Sequence, residues 1–330
     1  MDGVTDASFR YMVCTKSSPD LVMTEFTNVE GLARGAVTML RAFHYSGVER
    51  PVVAQIYGVE VESFYSTTVM LASLGFDGVD INMGCPANKV AKLGSGAGLI
   101  RTPELAKELV RACQRGAWDW HNGISLEEAG VHPDIIEACK SMRPRPLDEM
   151  PRDIIPVSVK TRVGFDEVVT EEWTKHLLEV EPANLSMHGR TLKQMYTGLA
   201  SWEEIAKSAA LCKDLPISFL GNGDVKSMSQ ARELVNQIPG LDGVLIGRAT
   251  FGNPWFFGDH EPTKEERLQA AVDHADYLEA NYPDQAFFTI RKHLAWYCQG
   301  FEGAREMRKN LMQTMNAKDV RQVVQQHKST

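Results

Sequence analysis

Short apolar runs bounded by Gly, Pro and Asp recur along roughly the first 250 residues, and the stretches between them repeat their apolar positions with helical spacing. The runs at 21–26, 52–57, 78–81, 155–160, 184–188, 217–220 and 244–246 predict strands. Segments 7–16, 29–41, 60–74 and 103–113 predict helices, the first capped by Thr5 or Asp6. Sustained βα alternation is the pattern of a parallel sheet, and at this length it predicts an α/β fold of the (β/α)8 TIM-barrel type. Two stretches break the rhythm. The interval 116–152 is too long for a βα connection and carries Trp118, Trp120 and the run Arg143-Pro144-Arg145-Pro146, so it reads as a surface insertion with a short helix at 133–142. Beyond Pro262 the pattern is helical throughout, at 264–281, 286–299 and 304–326. The expected organisation is a barrel domain over 1–258 and a small all-helical domain over 262–330.

Charge sharpens that division. The net charge is −8, yet residues 285–330 carry eight Lys/Arg against three Asp/Glu, a balance of +5 that leaves −13 on residues 1–284. A basic tail on an acidic body is compatible with a phosphate-binding appendage, and equally with a solvated helix face. No apolar run is long enough to span a bilayer, and the amino terminus lacks a basic-then-apolar signal pattern. The six cysteines (14, 85, 113, 139, 212 and 298) form neither a C-x-x-C pair nor a Cys/His cluster, which argues against a zinc site and a disulfide framework. A cytoplasmic monomer with reduced thiols, no metal and no membrane association is expected.

The chemistry concentrates at 77–99. The predicted strand 78–81 breaks at Gly84 and Pro86, which sets Cys85 on a loop at a strand's carboxyl end. Cys85 is either a small buried hydrophobe or a site thiol. With an unperturbed pKa of about 8.5, a thiol there is mostly protonated at neutral pH and can act as a general acid without special tuning. Gly94, Gly96 and Gly98 do not form a dinucleotide fingerprint, because Leu99 stands where the third glycine belongs. The other predicted strands end in polar groups too: Glu25, Gln55, Asn82, Lys160 with Arg162, His188 with Arg190, Asn222-Gly223-Asp224, and Gly247-Arg248. Any one of these could be an ion pair or a helix cap; on a barrel all of them converge on one mouth. The last two groups fall after strands seven and eight, where barrels often hold a phosphate, so a mononucleotide cofactor fits without the physics saying which.

The run Asn82-Met83-Gly84-Cys85-Pro86, followed by Lys89-Val90 and Gly98-Leu99-Ile100, closely resembles the active-site signature of the tRNA-dihydrouridine synthases. The resemblance implies FMN bound by Met1, Asp2, Gln55, Lys160, His188, Asn222, Gly223, Asp224, Gly247 and Arg248, with NADPH or NADH as electron donor. It implies Cys85 as the catalytic acid, with Asn82, Lys89, Arg162 and Arg190 around the uracil. It also implies that the 262–330 region grips tRNA, where Ile290-Arg291-Lys292-His293-Leu294-Ala295-Trp296-Tyr297 resembles the family's helical domain and Arg291 and Lys292 are candidate contacts. In that family a strand ending in Pro-Met precedes the opening turn, so the barrel is expected to lack its first strand in this chain. Other readings stay open: an FMN barrel reductase of a free pyrimidine, in the manner of the dihydroorotate dehydrogenases, would not need the basic tail. A non-catalytic tRNA-binding protein would not need Cys85, and a phosphate-binding isomerase barrel would be colourless.

Overall fold

The computed structural model describes residues 1–87, 93–195, 197–258 and 260–328. Its sheet consists of β1 (Val22–Met23), β2 (Thr27–Asn28), β3 (Val52–Tyr57), β4 (Gly78–Met83), β5 (Val157–Arg162), β6 (Asn184–His188), β7 (Ser218–Asn222) and β8 (Gly243–Leu245). Every pairing is parallel. The order is β1-β3-β4-β5-β6-β7-β8, with β2 also on β3, so β1 and β2 are two pieces of one interrupted strand position. Helices alternate with these strands, the arrangement of a TIM barrel. Among the described residues the sheet occupies the seven strand positions of the pattern and has no pairing between β8 and β1.

Period-two alternation gives the strands two unlike faces. Val79, Ile81, Val159, Leu185, Met187 and Phe219 are fully buried. The alternate positions carry Gln55, Asp80, Asn82, Ser158 and Ser186, polar yet also buried. The helices Val61–Ser73 and Pro103–His121 run close together, and Gly116 makes that possible. A Cβ there would stand 2.7 Å from the Tyr65 carbonyl oxygen.

Local boundaries depart from the pattern in informative ways. The second helix ends at Ala33 rather than 41, because Gly35 at φ +81 turns the chain and a 3₁₀ stretch, Val37–Phe43, follows. The helix expected at 103–113 runs on to His121, so the first residues assigned to the insertion are its last turns. The short helix Pro133–Met142 stands where expected.

Packing divides the chain into two compact units. One comprises Leu21–His44 and Arg50–Ile246; the other comprises Met1–Asp20, Tyr45–Glu49 and Gly247–Thr330. The chain order that separates 1–258 from 262–330 is therefore not the packing division. The opening helix, Ala7–Lys16, shares a core with the carboxy-terminal helices: Met12 is buried with Leu268, Leu294, Tyr297 and Met307, and Tyr11 stacks on Tyr277 at 3.6 Å. Those helices are Lys264–Asn281, Arg291–Tyr297, Ala304–Leu311 and Ala317–Lys328. The expected helix 304–326 is broken because the Asn316 side chain accepts from the Asp319 N–H and starts a new one.

The same unit buries two histidines. The Ser8 hydroxyl donates to Asp6 (2.8 Å) and therefore accepts from Nε2 of His274 (3.0 Å), leaving Nδ1 to accept from the Tyr297 hydroxyl (3.1 Å). His293 is stacked on Phe9, and neither of its ring nitrogens has a hydrogen-bond partner. Burial pushes His274 down to about 4, Asp6 opposing, and burial together with the charge of His274 holds His293 well below the ordinary range. The unfolded chain, with histidine near 6.5, then binds more protons than the fold in this interval. Stability is thus full above about pH 6.5 and falls toward pH 4, by up to about 1.4 kcal/mol per pH unit per histidine. His293→Phe sacrifices no hydrogen bond, so its unfolding free energy is expected to match the parent at pH 7.5 and to decline less steeply in acid. An unchanged slope in denaturant titrations across this range would remove His293 from the account.

Candidate active site

Polar groups collect at the carboxyl ends of β3 to β7. Strand register sets Gln55 beside Asp80, Asn82 beside Lys160, Arg162 beside His188, and His188 beside Asn222. β4 runs two residues further than the pattern predicts, so Asn82 and Met83 belong to the strand and Cys85 follows on the loop. The thiol is 8% exposed. Its backbone is fixed from two sides. The Asn82 Oδ1 accepts from the N–H groups of Gly84 (3.1 Å) and Cys85 (2.8 Å), and the Arg162 Nε donates to the Gly84 carbonyl (2.6 Å).

Beside this loop the charges depress one another. Burial, then the Arg162 guanidinium, brings Lys160 down to about 8, while Asp80 and Cys85 pull the other way. His188 is pushed far below its ordinary value by burial and by Lys160, Arg162 and Arg190, so it is a neutral imidazole. Arg190 Nη1 lies 3.4 Å from His188 Nε2; because arginine only donates, the imidazole proton is assigned to Nδ1.

Arg190 is buried, and its guanidinium also donates to the Gly198 carbonyl (2.7 Å) and to Asp224 (2.6 Å). Asp224 in turn accepts from the Ala200 N–H (2.8 Å), so its carboxylate braces the 198–200 segment. Gly223 has φ +137, and a Cβ there would collide with the Ala200 Cβ and come within 3.3 Å of the His188 ring, so only glycine suits the position. Asn222 spends its amide on the Leu245 carbonyl (2.8 Å).

In the other unit, Met1 and Gly247 lie together: the Met1 sulfur would stand 3.3 Å from a Cβ at Gly247. Arg248 is exposed at the start of the turn Arg248–Thr250, and Asp2 is exposed as well. Arg291 donates to the Thr314 carbonyl (2.8 Å), in the turn before Ala317–Lys328, and Lys292 is half-buried with its ammonium beside Gly3. Arg305, Arg308 and Lys309 are exposed along one helix. Tyr297 is core, whereas half-buried Trp296 stacks on Phe251 at 4.2 Å. Lys89 lies outside the described residues. Reading strand ends alone misses Asp80 and Ser158, which sit one pleat deeper; a charged residue inside an otherwise apolar strand was the available signal.

A parallel βα sheet with its polar side chains gathered at the strand carboxyl ends is a TIM-barrel enzyme site. Within that class, the chain belongs to the dihydrouridine synthase family: the family model described as "Dihydrouridine synthase (Dus)" matches residues 1–117 and 134–330. The unmatched stretch falls inside the expected insertion. Proteins named "Probable tRNA-dihydrouridine synthase" from Staphylococcus epidermidis and Staphylococcus aureus are each 34% identical, over 98% and 97% of this chain and 90% and 89% of their own lengths. "Probable tRNA-dihydrouridine synthase 2" of Bacillus subtilis is 33% identical over 97% of this chain and 90% of its own. The family is flavin-dependent. The donors present fit such a group: an amide (Gln55, β3), an ammonium (Lys160, β5) and an imidazole N–H (His188, β6) match the acceptor-rich edge of an isoalloxazine. Among the described residues, no helix is long and apolar enough to cross a membrane.

Proposed function

We propose that this chain is a tRNA-dihydrouridine synthase that reduces the C5–C6 bond of a uridine in tRNA, using FMN and drawing electrons from NADPH or NADH. The observation that carries the reading is the doubly fixed Cys85 loop beside Lys160 and His188, in a chain of this family. When bound, the reduced flavin supplies the hydride for C6 of the uracil. Gln55, Lys160 and His188 would bind its ring. By the family resemblance, Asn222, Gly223, Asp224, Gly247 and Arg248 are the candidates for its phosphate, and Met1 and Asp2 for further contacts.

The remaining work falls to protein side chains. Hydride arrival at C6 makes an enolate whose charge lies on O4, and the Cys85 thiol gives its proton to C5 and is reprotonated from solvent. The resemblance assigns Asn82 and Lys89 to the base; the Asn82 amide is engaged with Gln55 and with the Gly84 and Cys85 N–H groups, so Asn82 acts first by holding the loop. Arg162 and Arg190 act mainly by fixing the Cys85 loop and His188, since their guanidinium groups are already engaged there. The uridine must leave its stack to reach this thiol, and tRNA binding helps offset the few kcal/mol this costs. Lys292 with Arg305, Arg308 and Lys309 supplies phosphate contacts, while Arg291 ties its helix to the turn at Thr314.

The test is a visible spectrum of the purified protein followed by anaerobic NADPH. Flavin bands that bleach, and reoxidise on adding tRNA from a strain lacking dihydrouridine, are expected. A protein that neither carries nor takes up FMN, or a reduced protein that ignores tRNA, would refute the proposal.

A further inference from the structure

Asp80 is a fully buried carboxylate on β4 that the reduction itself does not use. It ends a chain of hydrogen bonds that leads to the thiol loop. The Ser158 hydroxyl and Gln55 Nε2 each donate to it at 2.7 Å, and Gln55 Oε1 accepts from Asn82 Nδ2 at 2.9 Å. Asn82 Oδ1 then accepts from the Gly84 and Cys85 N–H groups.

The direction of this chain is fixed at both ends. A carboxylate only accepts and a backbone N–H only donates, so each amide between them has one workable orientation. Without the acceptor at position 80, Gln55 Nε2 loses the partner that anchors the far end of the chain, and Asn82 is held only by Gln55 and the two loop N–H groups, so the loop is fixed less firmly. We infer that Asp80 is a positioning residue for the proton-delivering thiol, acting through the Gln55 and Asn82 amides to hold the Gly84–Cys85 backbone in place. Burial raises Asp80 to about 6, with Ser158, Gln55 and Lys160 opposing, so the acceptor form prevails at neutral pH.

The inference rests on the reading of Cys85 as proton donor, and the test separates the two. The purified protein is treated with iodoacetamide at neutral pH, and alkylation is followed at each cysteine by mass spectrometry, alongside steady-state tRNA reduction. In Asp80→Ala, Cys85 is expected to react about fivefold or more faster, while buried Cys113, Cys139 and Cys212 stay as protected as in the parent. In the same variant kcat is expected to fall about tenfold with KM for tRNA within about twofold. Asp80→Asn can still accept from Gln55 while giving its NH₂ to Ser158, and is expected to stay near the parent in both readouts.

Unchanged Cys85 reactivity in Asp80→Ala would overturn the inference. So would faster reaction at all the buried cysteines together, which reports loss of the fold, or an Asp80→Asn variant as impaired as Asp80→Ala, which would assign the effect to charge. If Asp80→Ala does not fold, Gln55→Leu breaks the chain one link further on and is read by alkylation alone, with the same two outcomes. A Cys85→Ala variant that keeps its turnover would sink the proton-donor reading, yet the alkylation data would still decide whether Asp80 holds the loop.

Discussion

Cys85→Ala is expected to lower dihydrouridine formation by about 10²-fold or more at neutral pH, the ordinary contribution of a positioned general acid. NADPH-driven bleaching of the flavin should stay at the parent rate, because that half of the cycle needs no proton at uracil C5. The asymmetry follows from geometry. Asn82 and Arg162 fix the backbone of the loop rather than the sulfur, so removing the sulfur leaves both clamps in place. Cys85→Ser keeps a hydroxyl of similar size but far weaker acidity, and should recover little of the loss. Single-turnover reaction of pre-reduced protein with dihydrouridine-free tRNA isolates the step. A rate within about threefold of the parent in Cys85→Ala would assign the proton to another donor or to water.

How much of this site is legible in the sequence depends on whether a residue's role is local or tertiary. β3 spans 52–57 in pattern and structure alike, because an apolar run broken only by Gln55 and bounded by Pro51 and Gly58 admits little else. The opening helix and its Asp6 cap are local in the same sense. β4 runs past Ile81 to Met83 because in the sheet the Asn82 backbone pairs with Lys160 and its side chain lies buried. The Asp80–Gln55–Asn82 chain needs the register that sets Gln55 against Asp80, and no local pattern carries that. The packing of residues 1–20 with the carboxy-terminal helices is non-local in the same way: stacking of Tyr11 on Tyr277 is invisible to any window of periodicity. The strand ends, by contrast, were readable, because a parallel sheet turns a sequence position into a place.

That non-local packing carries the largest expected effect on stability. Arg10 and Glu49, 2% and 1% exposed, form an ion pair at 2.7 Å, and each has other obligations: Arg10 Nη1 donates to the Thr5 carbonyl, and the second Glu49 oxygen accepts from the Ser46 N–H. Arg10→Leu removes the cation and leaves a buried carboxylate that, among the described residues, has no other countercharge at that distance, a change that ordinarily costs about 3–5 kcal/mol. The pair itself is worth much less than that, since both ions were desolvated to make it. Adding Glu49→Leu to Arg10→Leu should therefore restore part of the loss, even though it deletes a second polar group. Denaturant unfolding of the parent, both single variants and the double variant gives the cycle directly. If Arg10→Leu costs under about 1 kcal/mol, water reaches Glu49 and the pair is not the pin between the opening helix and the 45–49 segment. If the double variant is as unstable as the sum of the singles, the two residues act independently, and the loss belongs to packing around each side chain rather than to a stranded charge.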